Sequence, residues 1–314
     1  MRAFVFPGQG AQAIGMGQSL AEAYPAAKAV FEEVDDALGE NLSDMMWNGN
    51  IDELTLTRNA QPALMATSLA AMRALENEGV TIAHANFVAG HSLGEYSALA
   101  AAGAMSVADT ARLLRIRGTA MQEAVPVGIG AMAALLGLDF ETASAVAAEA
   151  SQGEVCQAAN DNDPGQVVVS GHKAAVERAL VLAKEKGAKR ALLLPVSAPF
   201  HCELMAPAAI AMAEALGNVE IKSPAVPLVA NVRAGVVSDP AVIRSLLVEQ
   251  VTGSVRWRES VLFMAAQGVT DIVEVGAGKA LIGMVRRIDK SIATAAAGTS
   301  EDIKAVASAI AEQE

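Results

Sequence analysis

Strand-length apolar runs alternate with helix-period segments along most of this 314-residue chain, and that alternation leaves few architectures open. The runs fall at 3–6, 87–89, 130–136, 166–170, 190–194, 226–230 and 271–275. Helical spacing of apolar residues occupies 17–38, 61–77, 93–102, 107–123, 141–150, 173–186, 204–216, 240–250, 254–266 and 279–288. A strand reached only by way of a helix cannot close as a hairpin, so neighbouring strands lie parallel and the helices cover both sheet faces. The expected class is α/β. Apolar residues make up 53% of the chain and aromatic ones only 4%, so alanine, valine, leucine and methionine must fill the core.

The middle of the chain reads differently. From Pro126 to Pro195 the order is strand, helix, strand, helix, strand with short connections, which fits a small α+β module inserted into the larger domain. Val125-Pro126-Val127-Gly128 marks its entry and Pro195-Val196-Ser197-Ala198-Pro199 its exit, both rich in helix breakers. The expected large subdomain therefore combines residues 1–125 and 198–314, and the small one spans 126–197. A cleft between them is the natural place for a site.

Composition closes off several classes of function. A formal net charge of −12 disfavours nucleic acid, whose phosphates need a basic face. Lys279, Arg286, Arg287 and Lys290 form one local basic cluster, either a dock for an acidic partner or a row of solvated charges. Cys156 and Cys202 are too few for a disulfide framework and suit a reducing compartment. No Cys-x-x-Cys or His-Glu-x-x-His spacing occurs and the four histidines lie far apart, so no metal site is expected. Arg2 is followed by only four apolar residues before Pro7-Gly8, too short for the core of a signal peptide. No uncharged stretch reaches the roughly 20 apolar residues of a membrane span. A cytoplasmic chain without membrane contact is expected.

Residues 87–95 read Phe-Val-Ala-Gly-His-Ser-Leu-Gly-Glu, a Gly-x-Ser-x-Gly run between a strand and a helical pattern. This is the arrangement of a nucleophile elbow, in which side chains two residues to either side of the serine would collide with the turn. Ser92 is the expected nucleophile, and the helix it opens offers N–H groups and partial positive charge to an oxyanion. A serine hydroxyl needs a base. His91 adjoins it, but neighbouring side chains at an elbow diverge, so His91 is expected to pack beneath the turn. His201 ends a proline-punctuated run at the subdomain junction and is the expected base; capping a helix near Leu204 is its alternative role. His84 and His172 are expected at the surface.

The loop Phe6-Pro7-Gly8-Gln9-Gly10 follows the first strand. Gly8-x-Gly10-x-x-Ala13 can be laid on a dinucleotide fingerprint, but Glu32 and Glu33 lie in a helical pattern rather than after a second strand. In acyl transfer, Gln9 would instead approach Ser92 and help hold the oxyanion. Arg112, Arg115 and Arg117 cannot all share one helix face, so at least one can turn inward, where its planar fork suits a carboxylate. Spacing leaves open which one, and two exposed arginines with one structural ion pair is the plainer account.

Several motifs in order carry a resemblance that runs nearly end to end: Phe6-Pro7-Gly8-Gln9-Gly10, Gly90-His91-Ser92-Leu93-Gly94-Glu95, Arg117-Gly118 followed by Met121, Asn160-Asp161-Asn162-Asp163-Pro164-Gly165-Gln166, Ala198-Pro199-Phe200-His201, Gln250, and Glu274-Val275-Gly276-Ala277-Gly278-Lys279. Together they resemble the malonyl-CoA:acyl carrier protein transacylases. The resemblance implies an α/β-hydrolase-like large subdomain with an inserted, small ferredoxin-like subdomain. It implies ping-pong transfer of malonyl from malonyl-CoA to the pantetheine thiol of acyl carrier protein, with no metal or redox cofactor, by a cytoplasmic monomer that supplies fatty acid biosynthesis. By this resemblance Ser92 is acylated, His201 is the general base and acid, Gln9 and the Leu93 N–H frame the oxyanion hole, and Arg117 grips the malonyl carboxylate. The backbone carbonyl of Gln250 orients the histidine, while Met121, Asn160 and Asn162 line the substrate cleft. Phe200 resembles the malonyl-selective form of its motif rather than the methylmalonyl one. Arg233 departs from the family, where a small or acidic residue is common, and bears on partner docking. Two rivals share the residues: a serine thioesterase or esterase that lets water resolve the acyl-enzyme, and a non-catalytic acyl-CoA-binding or scaffold protein.

Overall fold

The computed structural model describes residues 1–196 and 198–313. Ser197, in the expected exit run and at the end of the 126–197 span, and Glu314, which closes the 198–314 span, lie outside the described residues. The strands are β1 (Arg2–Phe6), β2 (Phe87–Gly90), β3 (Gly130–Leu136), β4 (Cys156–Asp163), β5 (Gln166–His172), β6 (Arg190–Leu193), β7 (Leu228–Ala230), β8 (Gly235–Val237), β9 (Asp271–Val275) and β10 (Ala293–Ala297). The helices are α1 (Gln18–Ala23), α2 (Pro25–Leu38), α3 (Leu42–Asn48), α4 (Ile51–Thr55), α5 (Thr57–Asn77), α6 (Gly94–Ala101) and α7 (Val107–Glu123), then α8 (Phe140–Ser151), α9 (Lys173–Glu185), α10 (Ala206–Gly217), α11 (Pro240–Thr252), α12 (Trp257–Ala266), α13 (Ala280–Ile288) and α14 (Ser300–Ala311).

The larger sheet has the order β10-β9-β1-β2-β7-β8 and is parallel except for β8, which returns against β7. Successive side chains of β1 enter opposite cores, as the pleat requires. Phe4 and Phe6 join Val34, Leu64 and Leu114 from α2, α5 and α7, whereas Ala3 and Val5 join Trp257, Val261, Leu281 and Val285 from α12 and α13. Both faces are thus covered. None of the helices among the described residues is long and apolar enough to cross a membrane.

The smaller sheet is antiparallel, in the order β4-β5-β3-β6. Ala133, Leu135, Val167 and Val169 pack against Val146 of α8 and Val176 of α9, while Met132, Ala134 and Val168 face the main core. The chain order here is strand, helix, strand, strand, helix, strand, the ferredoxin-like arrangement, so the order expected from apolar runs was one strand short. The missing element is β4, Cys-Gln-Ala-Ala-Asn-Asp-Asn-Asp, which has no apolar alternation because its polar side chains are used against the larger subdomain. Arg258 of α12 donates from Nε to both Asp161 oxygens at 3.0 Å, and Arg287 of α13 donates to Asp163 at 2.7 Å. Between them the Asp161 N–H donates to the Val255 carbonyl and the Val255 N–H to that of Ala159, both at 2.9 Å, making a parallel bridge from β4 to the segment before α12.

Other boundaries moved for identifiable reasons. The helical pattern at 17–38 is two helices, because Tyr24 is extended and Pro25 restarts the helix at its first position. Helix α5 starts at Thr57 rather than 61, with Pro62 inside it. A proline has no N–H for the carbonyl four residues back, and that carbonyl, of Arg58, accepts from Arg115 Nη1 at 2.9 Å instead. The short β8, α3 and α4 carry too few residues for a period. Strand β10, Ala-Thr-Ala-Ala-Ala, has a helix former's composition and is a strand because it pairs with β9; α14 was likewise unanticipated.

Candidate active site

At the end of β2 the chain turns through Ser92, whose φ of 54° lies in the left-handed region, and enters α6. A Cβ on Gly90 would sit 1.9 Å from the Gly94 carbonyl carbon, and one on Gly94 would sit 2.2 Å from the Phe6 oxygen. Neither position admits a side chain, so the spacing of the motif is a packing requirement of this turn. His201 also adopts a left-handed φ, of 58°. Such backbone costs about 1–2 kcal/mol per residue outside glycine, so neighbouring hydrogen bonds must hold it.

Ser92 Oγ lies 2.8 Å from His201 Nε2, and His201 Nδ1 lies 2.9 Å from the Gln250 carbonyl oxygen. A carbonyl only accepts, so Nδ1 carries the ring hydrogen and Nε2 presents a lone pair to the serine hydroxyl. The alternative role for His201, capping a helix near Leu204, is not what its ring does. Burial, and then the Arg117 charge, push the His201 imidazole down to about 3. The imidazole is therefore in its proton-accepting form at neutral pH. Reaction of Ser92 with an acyl donor is expected to show no imidazole inflection between about pH 5 and 8. A stopped-flow pH profile with a break near the ordinary histidine value of 6.5 would contradict this.

Arg117 is the inward member of the three arginines. It is 1% exposed; Nη1 donates to Gln61 Oε1 at 2.8 Å, and Nη2 donates to Gln250 Oε1 at 2.8 Å and to Ser92 Oγ at 3.1 Å. Its guanidinium sits 5.6 Å from the Tyr96 ring centroid, and Nε has no partner among the described residues. Among the described residues, every hydrogen-bond acceptor it has is neutral. A buried cation without a carboxylate at contact distance is costly to keep and ready for an anion. Arg112 lies at the surface beside Asp109, and Arg115 pairs with Glu40 at 2.6 Å.

Glu95 Oε2 accepts from Gln250 Nε2 at 2.8 Å and from the Asn231 N–H at 3.1 Å. Burial pushes its carboxyl from the ordinary 4.5 up to about 7, against the pull of Gln250, Asn231 and Arg117. With the folded value raised, the contribution of this group to stability is fully present below about 4.5 and is lost as pH rises through 7. Glu95→Gln keeps an acceptor and removes the titration. Its unfolding midpoint, compared with that of the parent, is expected to improve between pH 4.5 and 8; an unchanged difference would refute the assignment.

The remaining sequence candidates fall as follows. The Gln9 side-chain amide donates to Thr57 Oγ1 at 3.3 Å. The Ser92 N–H is taken by Asn231 Oδ1 at 2.8 Å, and the next amide along the turn is that of Leu93. Met121 is buried, and its Sδ accepts from Gln61 at 3.7 Å. His91 is held between Asn162 Oδ1, 2.9 Å from its Nε2, and the Trp257 ring at 5.9 Å. Asn160 takes part in the bridge to Val255, and Phe200 is buried directly before His201. His84 bonds to Thr81, and His172 Nδ1 accepts from the Val155 N–H at 3.0 Å, both away from the elbow. The dinucleotide reading fails because Glu32 and Glu33 lie inside α2. In the basic cluster, Lys279 meets Asp302 at 3.8 Å, Arg286 meets Thr294 and Arg287 meets Asp163, while Lys290 is exposed. Arg233 is exposed between β7 and β8. Sequence reasoning gave no role to Gln61, Glu95, Tyr96 or Asn231. The usable signal was a polar residue within or just past an apolar run.

The chain matches the acyl transferase domain model over residues 3–308. It is 47% identical to the malonyl CoA-acyl carrier protein transacylase of Bacillus subtilis, with 99% of this chain and 98% of that protein covered. Among solved structures it resembles the acyl-carrier-protein S-malonyltransferase of Bartonella henselae at 56% identity and a TM-score of 0.96, covering 99% of both chains. It also resembles a malonyl-transacylase solved in complex with its type II PKS acyl-carrier protein, at 42% identity and a TM-score of 0.95, covering 98% of this chain and 99% of that one. A family model spanning nearly all of the chain, and relatives of this identity aligned along their whole length, establish that the chain belongs to the acyl transferase family alongside the malonyl CoA-acyl carrier protein transacylases.

Proposed function

We propose that this protein transfers a malonyl group from malonyl-CoA to the pantetheine thiol of acyl carrier protein through a malonyl-Ser92 intermediate, supplying fatty acid synthesis. The observation that carries the reading is Arg117: a buried cation whose hydrogen-bond acceptors among the described residues are all neutral, its Nη2 3.1 Å from the Ser92 hydroxyl. An acyl group attached at that oxygen with a free carboxylate at its far end meets the guanidinium; an acetyl group does not.

In the first half-reaction His201 Nε2 takes the Ser92 proton as Oγ attacks the thioester carbonyl. Gln9 and the Leu93 N–H hold the tetrahedral oxyanion. The C–S bond breaks, and CoA leaves with the proton returned by the imidazolium. In the second half-reaction His201 takes the proton of the carrier thiol, the thiolate attacks the malonyl ester, and Ser92 departs reprotonated. Gln250 holds the imidazole through its carbonyl, and Met121, Asn160, Asn162 and Phe200 bound the acyl pocket. The steps call for no metal or redox cofactor. We place the reaction in the cytoplasm, in a monomer whose small subdomain is the 126–197 insertion.

The test is intact-mass measurement after brief exposure to malonyl-CoA, with the modified peptide mapped and carrier protein then added. The expected outcome is one malonyl group on Ser92 that persists in buffer and is discharged by the carrier thiol. Rapid loss to water without carrier would favour the thioesterase, and absence of any adduct would favour a non-catalytic binder.

A further inference from the structure

Strand β7 pairs in parallel with β2 through Val88 opposite Leu228 and Ala89 opposite Val229, and this backbone ladder stops where β2 turns into the elbow. Asn231, the residue just past β7, is fully buried there. Its Nδ2 donates to the Gly90 carbonyl at 2.6 Å, and its Oδ1 accepts from the Ser92 N–H at 2.8 Å. A residue of a parallel neighbour makes the same two bonds, to the carbonyl before and the N–H after the position it faces. The side-chain amide therefore stands in for one more step of the ladder, centred on His91, at the point where the Ser92 backbone has gone left-handed. The amide is itself fixed: Glu95 accepts the Asn231 backbone N–H at 3.1 Å, and Gln250 Nε2 donates to Oδ1 at 3.3 Å.

We infer that Asn231 is a positioning residue that sets the direction of the Ser92 nucleophile by extending the β2–β7 ladder with its side chain. The inference rests on Ser92 being the nucleophile of the proposed reaction. Because Asn231 acts on the serine and not on the acyl group, its loss should slow every acyl donor alike, in contrast to loss of Arg117.

The experiment measures second-order labelling of Ser92 by a fluorophosphonate, together with KM for malonyl-CoA and the malonyl-to-acetyl rate ratio. It uses the parent, Asn231→Ala and Asn231→Asp. The aspartate keeps an acceptor for the Ser92 N–H but turns a repelling oxygen toward the Gly90 carbonyl. Labelling is expected to fall about 10- to 100-fold in both variants while KM and the donor ratio stay within about twofold, as for a misplacement of the reacting atom. Should the alanine variant fail to fold, the aspartate decides. Labelling within threefold of the parent in a folded variant, or a loss confined to KM, overturns the inference. Failure of the parent itself to label at Ser92 would instead remove the functional reading on which it rests.

Discussion

Replacing Ser92 by alanine is expected to abolish formation of the malonyl adduct and to reduce transfer to carrier protein by roughly 10⁴-fold or more. The hydroxyl is the only atom of the elbow that can carry the acyl group in this scheme, and it is the atom on which His201 Nε2 at 2.8 Å and Arg117 Nη2 at 3.1 Å converge. The fold should survive, since the turn is held by backbone and by Asn231 rather than by the hydroxyl. The decisive reading is a folded variant, by its unfolding midpoint, that gains no mass with malonyl-CoA. Retention of the adduct at another residue would overturn the assignment of the nucleophile.

The second large effect is a divergence between two donors. Arg117→Ala should lower transfer of malonyl about 10- to 100-fold, the worth of a charge-assisted hydrogen bond of roughly 1.5–3 kcal/mol. Transfer of acetyl should be spared or improved. Acetyl has no carboxylate to lose a partner, and Ser92 keeps its bond to His201. Paired measurements of kcat/KM with malonyl-CoA and acetyl-CoA read the ratio directly. An equal fall for both donors would show that Arg117 serves the serine alone.

Where side chains alternate or a turn demands a particular residue, the chain announced its structure. The parallel sheet was legible because helix-period segments separate its apolar runs, and the elbow because Gly90 and Gly94 are positions that backbone atoms crowd. His201 was legible from its place beside prolines at a junction. What escaped was structure whose reason lies in a distant partner. Strand β4 is polar because its carboxylates meet arginines about a hundred residues away, so no local period betrays it. Which arginine of α7 turns inward depends on Gln61 and Gln250, and spacing along one helix cannot reveal them. The network of Glu95, Gln250 and Asn231 brings together three separate segments and is visible only once they are folded.

The seam along β4 also limits what can be exchanged between relatives. Asp161 and Asp163 are buried, yet the cations that neutralise them belong to helices α12 and α13 on the other side of the boundary. A graft that moved the insertion alone would carry two carboxylates into a host without matching guanidiniums and leave an edge strand without its bridge, a mismatch of several kcal/mol. A viable chimera must therefore bring Arg258 and Arg287 along with it, so the unit of recombination in this enzyme is larger than the module that its topology outlines.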